Sequence, residues 1–141
     1  DIKDPEKWKE EFKEGEITAM FSCLGTLRKH GKKNQLKVDR DLPIAGAKLA
    51  KYYKIPHVSL VSSIGADSKS CFFYTKTKGE AENGILESGV DRVSIFRPGL
   101  IIDRRNDKRC VECFTRYFCC CISSVSARKI GMAMRIDAEI Q

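Results

Sequence analysis

From His57 to Lys78 the sequence reads HVSLVSSIGADSKSCFFYTKTK, and this stretch decides the fold. HVSLVSS is short, apolar and β-branched, and the glycine of IGADS stops it, which predicts a strand buried on both faces. A helix is expected to begin near Phe73 and to run through Ala81, Ile85 and Leu86 to Gly89, a residue suited to the left-handed position after a helix end. A strand leading into a helix is half of a β-α-β unit, so the question is whether the pattern repeats on either side.

It does. Upstream, ITAMFSCLGT reads as another buried strand ending at Leu24 and Gly25. RKHGKKNQLK follows as an expected polar, basic loop. From Val38, residues Leu42, Ala45, Leu49 and Tyr52 or Tyr53 keep a helical period up to Pro56, with Pro43 acceptable only in a first turn. Downstream, RVSIF predicts a third strand that ends in Arg97, Pro98 and Gly99. The opening DIKDPEKWKEEFKEGE reads as a helix carrying Trp8 and Phe12 and stopped by Gly15. Beyond Ile102, VECFTRYFCCCISS is apolar but irregular, and ARKIGMAMRIDAEI predicts a final amphipathic helix. Strands alternating with helices imply an α/β fold, with a parallel sheet built by right-handed crossovers and helices on both faces. No internal repeat, low-complexity tract or linker interrupts residues 1–141, so a single domain is expected.

The composition, 42% hydrophobic and 32% charged, is that of a globular domain rather than a disordered chain. No apolar run is long enough to cross a bilayer, and the charged opening is unlike a secretory signal, so a location inside the cell is expected. Seven cysteines, an odd number with three consecutive at Cys119, Cys120 and Cys121, argue for reduced thiols rather than a disulfide framework. The net charge of +7 is spread along the chain, without a motif for direct nucleic-acid binding.

In open parallel sheets, ligands bind outside the carboxyl ends of the strands. Three such ends stand out: Leu24, Gly25 and Thr26; Ser62 and Ser63; and Arg97, Pro98 and Gly99. Tyr74 and Lys78 lie in the connection that leaves the second of them. Four residues apart on a helix, they share a face. A nearby ammonium favours the phenolate over the phenol, so such a tyrosine can give a proton to a carbonyl or take one from an alcohol as hydride moves. With four tyrosines and sixteen lysines in the chain, this spacing arises by chance about half a time, so its context carries the reading.

A strand-end serine followed by Tyr-x-x-x-Lys resembles the short-chain dehydrogenases and reductases. SCLGT, KVDRD, VSSIGAD, YTKTKGEAE and SIFRPGLIIDRR together resemble an atypical branch of that family, over about Phe21 to Arg109. The resemblance implies a Rossmann-like sheet, an NADP(H) cofactor and an unknown small carbonyl or alcohol substrate. It implies Tyr74 as acid/base, Lys78 as its partner and ribose ligand, and Ser63 as the third member, with Ser62 as fallback. Leu24 and Gly25 would line the cofactor cleft, Arg109 would contact the dinucleotide, and the turn at Arg97 would lie beside the nicotinamide or simply form a rigid corner. The resemblance also implies an alternative, a regulatory dinucleotide sensor working through nuclear-transport or transcription proteins, and with it a cytoplasmic and nuclear location. The family's glycine-rich phosphate loop does not occur in this sequence, so the chain is expected to lack the N-terminal glycine-rich β-α-β unit and to be either a fragment or alternative product of a longer gene or a remnant that no longer binds the cofactor well.

Other groups offer weaker readings. Cys110 and Cys113 have a metal-type spacing, but no second spaced pair or nearby histidine completes a site. FTRYFCCC could be acylated or lie on a membrane surface, although buried free cysteines are the commoner meaning. His30 and His57 have no visible partner in the sequence, and RKHGKK could be an import patch or a solvated loop.

Overall fold

A computed structural model describes residues 4–8, 15–26, 28–103 and 123–140. Cys110, Cys113, Cys119, Cys120, Cys121 and Arg109, with the readings attached to them, lie outside these residues. The chain divides into two compact units, Asp1–Arg97 and Pro98–Gln141.

The first unit holds β1 (Ala19–Ser22), α1 (Lys32–Leu36), a π-helical turn (Lys37–Asp41), α2 (Leu42–Tyr52), β2 (His57–Val61), α3 (Phe73–Leu86) and β3 (Arg92–Phe96). The strands form a parallel sheet in the order β1-β2-β3. Ala19 lies beside His57 and Ser22 beside Leu60, while His57 lies beside Arg92 and Val61 beside Phe96. The sheet steps the same way twice, so two crossovers of the same hand bring α2 and α3 to one face. That face is the core: Val58 and Leu60 pack with Ala47 and Ala50 of α2 and Ile85 of α3, with Met20 of β1 at its margin. Where α2 and α3 meet, a Cβ on Gly84 would press on the Ile44 side chain, which would have to shift, so glycine here lets the two helices approach closely.

The expected strands at ITAMFSCLGT, HVSLVSS and RVSIF are present, the first shortened to four residues. The expected helix ends are also present: Pro43 sits in the first turn of α2, and Gly89, after α3, has φ 77°. RKHGKKNQLK is not a loop. It forms a 3-10 turn at Arg28–His30 followed by α1. Its buried position is Gln35, a polar residue, so an apolar period could not disclose it. Of the opening segment, Pro5–Trp8 forms a 3-10 turn, and residues 9–14 are not among those described.

In the second unit β4 (Leu100–Ile102) pairs in parallel with β5 (Ser124–Ser126), and α4 (Ala127–Glu139) is the expected final helix. Ser126 caps it, its Oγ accepting the Lys129 N–H at 3.3 Å. Among the described residues, no helix is long and apolar enough to cross a membrane.

Candidate functional site

Tyr74, Lys78, Glu82 and Ile85 follow one another along a single line of α3. Only the last is apolar, yet Lys78, Glu82 and Ile85 are all buried. Buried charges need partners. Glu82 takes a two-pronged contact from the Arg97 guanidinium, with Nε donating to Oε1 at 3.0 Å, and this hydrogen bond raises the Arg97 pKa. The Arg97 side chain, expected beside a ligand or in a rigid corner, is thus fastened to α3. Lys78 pairs with Asp39, Nζ to Oδ1 3.0 Å, with side chains only 5% and 2% exposed.

Asp39 belongs to the π-helical turn between α1 and α2. Its second oxygen, Oδ2, accepts the Thr26 N–H at 3.0 Å. One carboxylate therefore ties the turn after β1 to the helix bearing Lys78. Next to it, Arg40 donates to Glu80 and to Asp41, both at 2.8 Å, and these hydrogen bonds raise the arginine's pKa. Asp39 and Arg40 thus engage α3 at Lys78 and Glu80. Asp39 was not a candidate in the sequence, although a signal existed: it falls at the helical spacing of the buried positions Gln35, Pro43, Gly46 and Ala50. An acid on an otherwise inward stripe is rare without a partner.

The start of α3 is set by the preceding loop. Phe72, the residue before the helix, has no side chain suited to capping. Instead, Ser70 Oγ accepts the Phe72 N–H at 3.1 Å and lies 2.6 Å from Thr75 Oγ1. The loop returns along the helix, where Asn83 donates to Ser68 Oγ at 3.1 Å. A Cβ on Gly79 would collide with the backbone of Asp67 and Ser68, so glycine beside Lys78 lets the loop lie flat there. Lys32 of α1 stands 5.5 Å from the centre of the Phe73 ring, which brings α1 to the same helix start.

The remaining candidates occupy the strand ends. Leu24 and Gly25, just after β1, are exposed. A Cβ on Gly25 would come to 3.5 Å from Asp39 Oδ1, so this turn sits directly over the ion pair. Ser62 is buried, and its Oγ has no partner among the described residues; the same holds for Ser22 at the end of β1. Ser63 is half-buried, and its Oγ donates to the Ile64 carbonyl at 3.2 Å. Tyr74 is half-buried, and no hydrogen bond joins it to Ser63 among the described residues. The geometry unites Lys78 with the β1 turn through Asp39, and leaves the Ser22 and Ser62 hydroxyls buried without a hydrogen-bond partner among the described residues. The Lys78 ammonium has N–H groups beyond the one directed at Asp39 to offer an oxygen acceptor. His57 lies at the opposite end of β2, its Nε2 3.0 Å from Ser94 Oγ, in a structural network.

The protein fmp52, mitochondrial, of Emericella nidulans is 40% identical to the chain over 139 residues, covering 95% of this chain and 60% of that protein. Protein HTATIP2 of Rattus norvegicus is 43% identical over 99 residues, covering 70% of this chain and 41% of that protein. The chain is a homologue of HTATIP2 and Fmp52. The five motifs together resemble the atypical short-chain dehydrogenase known as the Tat-interacting oxidoreductase-like protein, CC3, and the homology to HTATIP2 bears this resemblance out. The chain spans about half the length of the curated relatives it matches. No family model matches it. A solved chain from Bacillus halodurans, described as an NAD-dependent epimerase/dehydratase, superposes with a TM-score of 0.56 at 20% identity, over 74% of this chain and 49% of that one. At that identity the likeness establishes the fold, the expected Rossmann-like α/β class.

The homologues correct one expectation. A cytoplasmic and nuclear location is contradicted by Fmp52 relatives in Emericella nidulans, Debaryomyces hansenii and Aspergillus niger, all named mitochondrial. The composition and hydropathy behind that expectation do not distinguish cytosol from mitochondrion.

Proposed function

We propose that the chain carries the acid/base half of a nicotinamide-dinucleotide-dependent oxidoreductase of the atypical short-chain type, acting on a small carbonyl or alcohol. The observation that carries this reading is the buried Lys78 ammonium on α3, tied through Asp39 to the turn after β1, with Tyr74 one helical turn before it. A bound nicotinamide dinucleotide, NADP(H) by the resemblance, would supply or accept the hydride. Tyr74 Oη would give its proton to the carbonyl oxygen in reduction and take it back in oxidation. Lys78 would hold the ribose hydroxyls and favour the phenolate as it forms. Ser63, or Ser62 with its buried and unpartnered hydroxyl, would hold the substrate oxygen. Leu24 and Gly25 would line the dinucleotide cleft, and Arg109 would contact the dinucleotide.

A second reading, dinucleotide sensing without turnover through protein partners, is favoured by the Ser63 hydroxyl being engaged with the Ile64 carbonyl. Loss of reduced-nicotinamide absorbance, with NADPH and a panel of aldehydes and ketones, separates the two. Turnover is expected to vanish in Tyr74→Phe while NADPH affinity changes by no more than about twofold. Undiminished turnover in that variant removes Tyr74 from the chemistry, and binding without turnover in the unaltered chain favours the sensor.

A further inference from the structure

The Ser-Tyr-Lys reading makes no use of the most deeply buried acid at the site. Asp39 is 2% exposed, and both of its oxygens are engaged: Oδ1 with Lys78 Nζ and Oδ2 with the Thr26 N–H, each at 3.0 Å. It stands on a π-helical turn, a geometry rare in helices and concentrated where function requires a residue out of register. A buried ion pair is weak evidence of a gain in stability, because desolvating both charges offsets most of their attraction. What the pair does supply is placement. A free lysine side chain samples many rotamers, whereas here the ammonium is fixed, with one N–H directed at Asp39 and two left for other partners.

We propose that Asp39 is a positioning residue of the candidate site, whose carboxylate holds the Lys78 ammonium against the Gly25–Thr26 turn so that its remaining N–H donors meet the ribose hydroxyls of a bound dinucleotide. The proposal rests on reading Lys78 as a ligand-holding group. It makes the π-helical turn part of the site rather than a defect in the helix.

The test uses the 141-residue chain labelled with 15N at its lysines, and two-dimensional spectra of the side-chain ammonium groups. Exposed lysine ammonium protons exchange too fast to be seen, whereas one sheltered by a buried carboxylate persists. The unaltered chain should show a persistent signal that disappears in Lys78→Met and in Asp39→Asn, with circular dichroism reporting that the variants fold. NADPH should shift that signal, and Asp39→Asn should weaken NADPH binding by about tenfold or more, the scale expected when a binding group is misplaced. Asp39→Glu, which keeps the charge, should recover part of the loss. The absence of any persistent ammonium in the unaltered chain overturns the proposal without reference to a variant. So does an Asp39→Asn protein that keeps both the signal and the affinity. If the signal depends on Asp39 but the unaltered chain does not bind NADPH, the dinucleotide reading fails while the placement of Lys78 by Asp39 stands.

Discussion

Lys78 and Asp39 are shut off from water together, and each is the reason the other can be charged there. Asp39→Asn should lower the unfolding free energy by about 3–5 kcal/mol in denaturant titrations, because it leaves an uncompensated ammonium. The pair Asp39→Asn with Lys78→Met should fall short of the sum of the two single losses by about 1 kcal/mol or more. Strict additivity would mean that the two groups do not interact. Gly79→Ala places a methyl group against the Asp67–Ser68 backbone and should cost about 1–3 kcal/mol, read as a lower melting temperature. At the surface, the Tyr52 hydroxyl donates to the Glu6 carboxylate at 2.6 Å, and that hydrogen bond raises the phenol's pKa above its ordinary value of about 10. Because the raised value belongs to the folded state, the contact's contribution is complete below the unfolded-state value and is lost as pH rises through the folded one. The stability difference between the unaltered chain and Tyr52→Phe should therefore be flat at neutral pH and shrink in strong alkali. A difference that grows there would contradict the contact.

Among the elements, those whose inward side is apolar were legible in the sequence and those whose inward side is polar were not. HVSLV and RVSIF announce β2 and β3 through their β-branched residues. The stop at Gly89 followed from the left-handed conformation that only a few residues adopt readily. By contrast, α1 was hidden because it turns Gln35 inward, and the π-helical turn was hidden because no local period reports one extra residue in a helix. The same holds for the site. Tyr74 and Lys78 could be paired from their spacing, but the partner of Lys78 lies 39 residues earlier in the chain and only the crossover brings it near. Ser126 caps α4, although it was not read as an N-cap from the sequence. Ser126→Ala should cost the second unit about 1 kcal/mol, seen as faster amide exchange in the first turn of α4. Unchanged exchange would mean that the 3.3 Å contact contributes nothing.

At the scale of the whole molecule, two crossovers of one hand carry the argument. They put α2 and α3 on one face of the sheet, and the resulting packing sets the Asp39 turn against Lys78 just outside the strand ends. The homology to HTATIP2 and Fmp52 and the likeness to a solved chain give the relatives and the Rossmann-like fold, while the chemistry depends on whether a dinucleotide reaches the start of α3. The most direct measurement is an isotope-filtered nuclear Overhauser spectrum of the chain with NADPH. The account predicts contacts between the nicotinamide ring protons and the ring protons of Tyr74, lost when Lys78 is replaced by methionine. A bound NADPH whose nicotinamide gives no contact to Tyr74, or no binding at all, would contradict it.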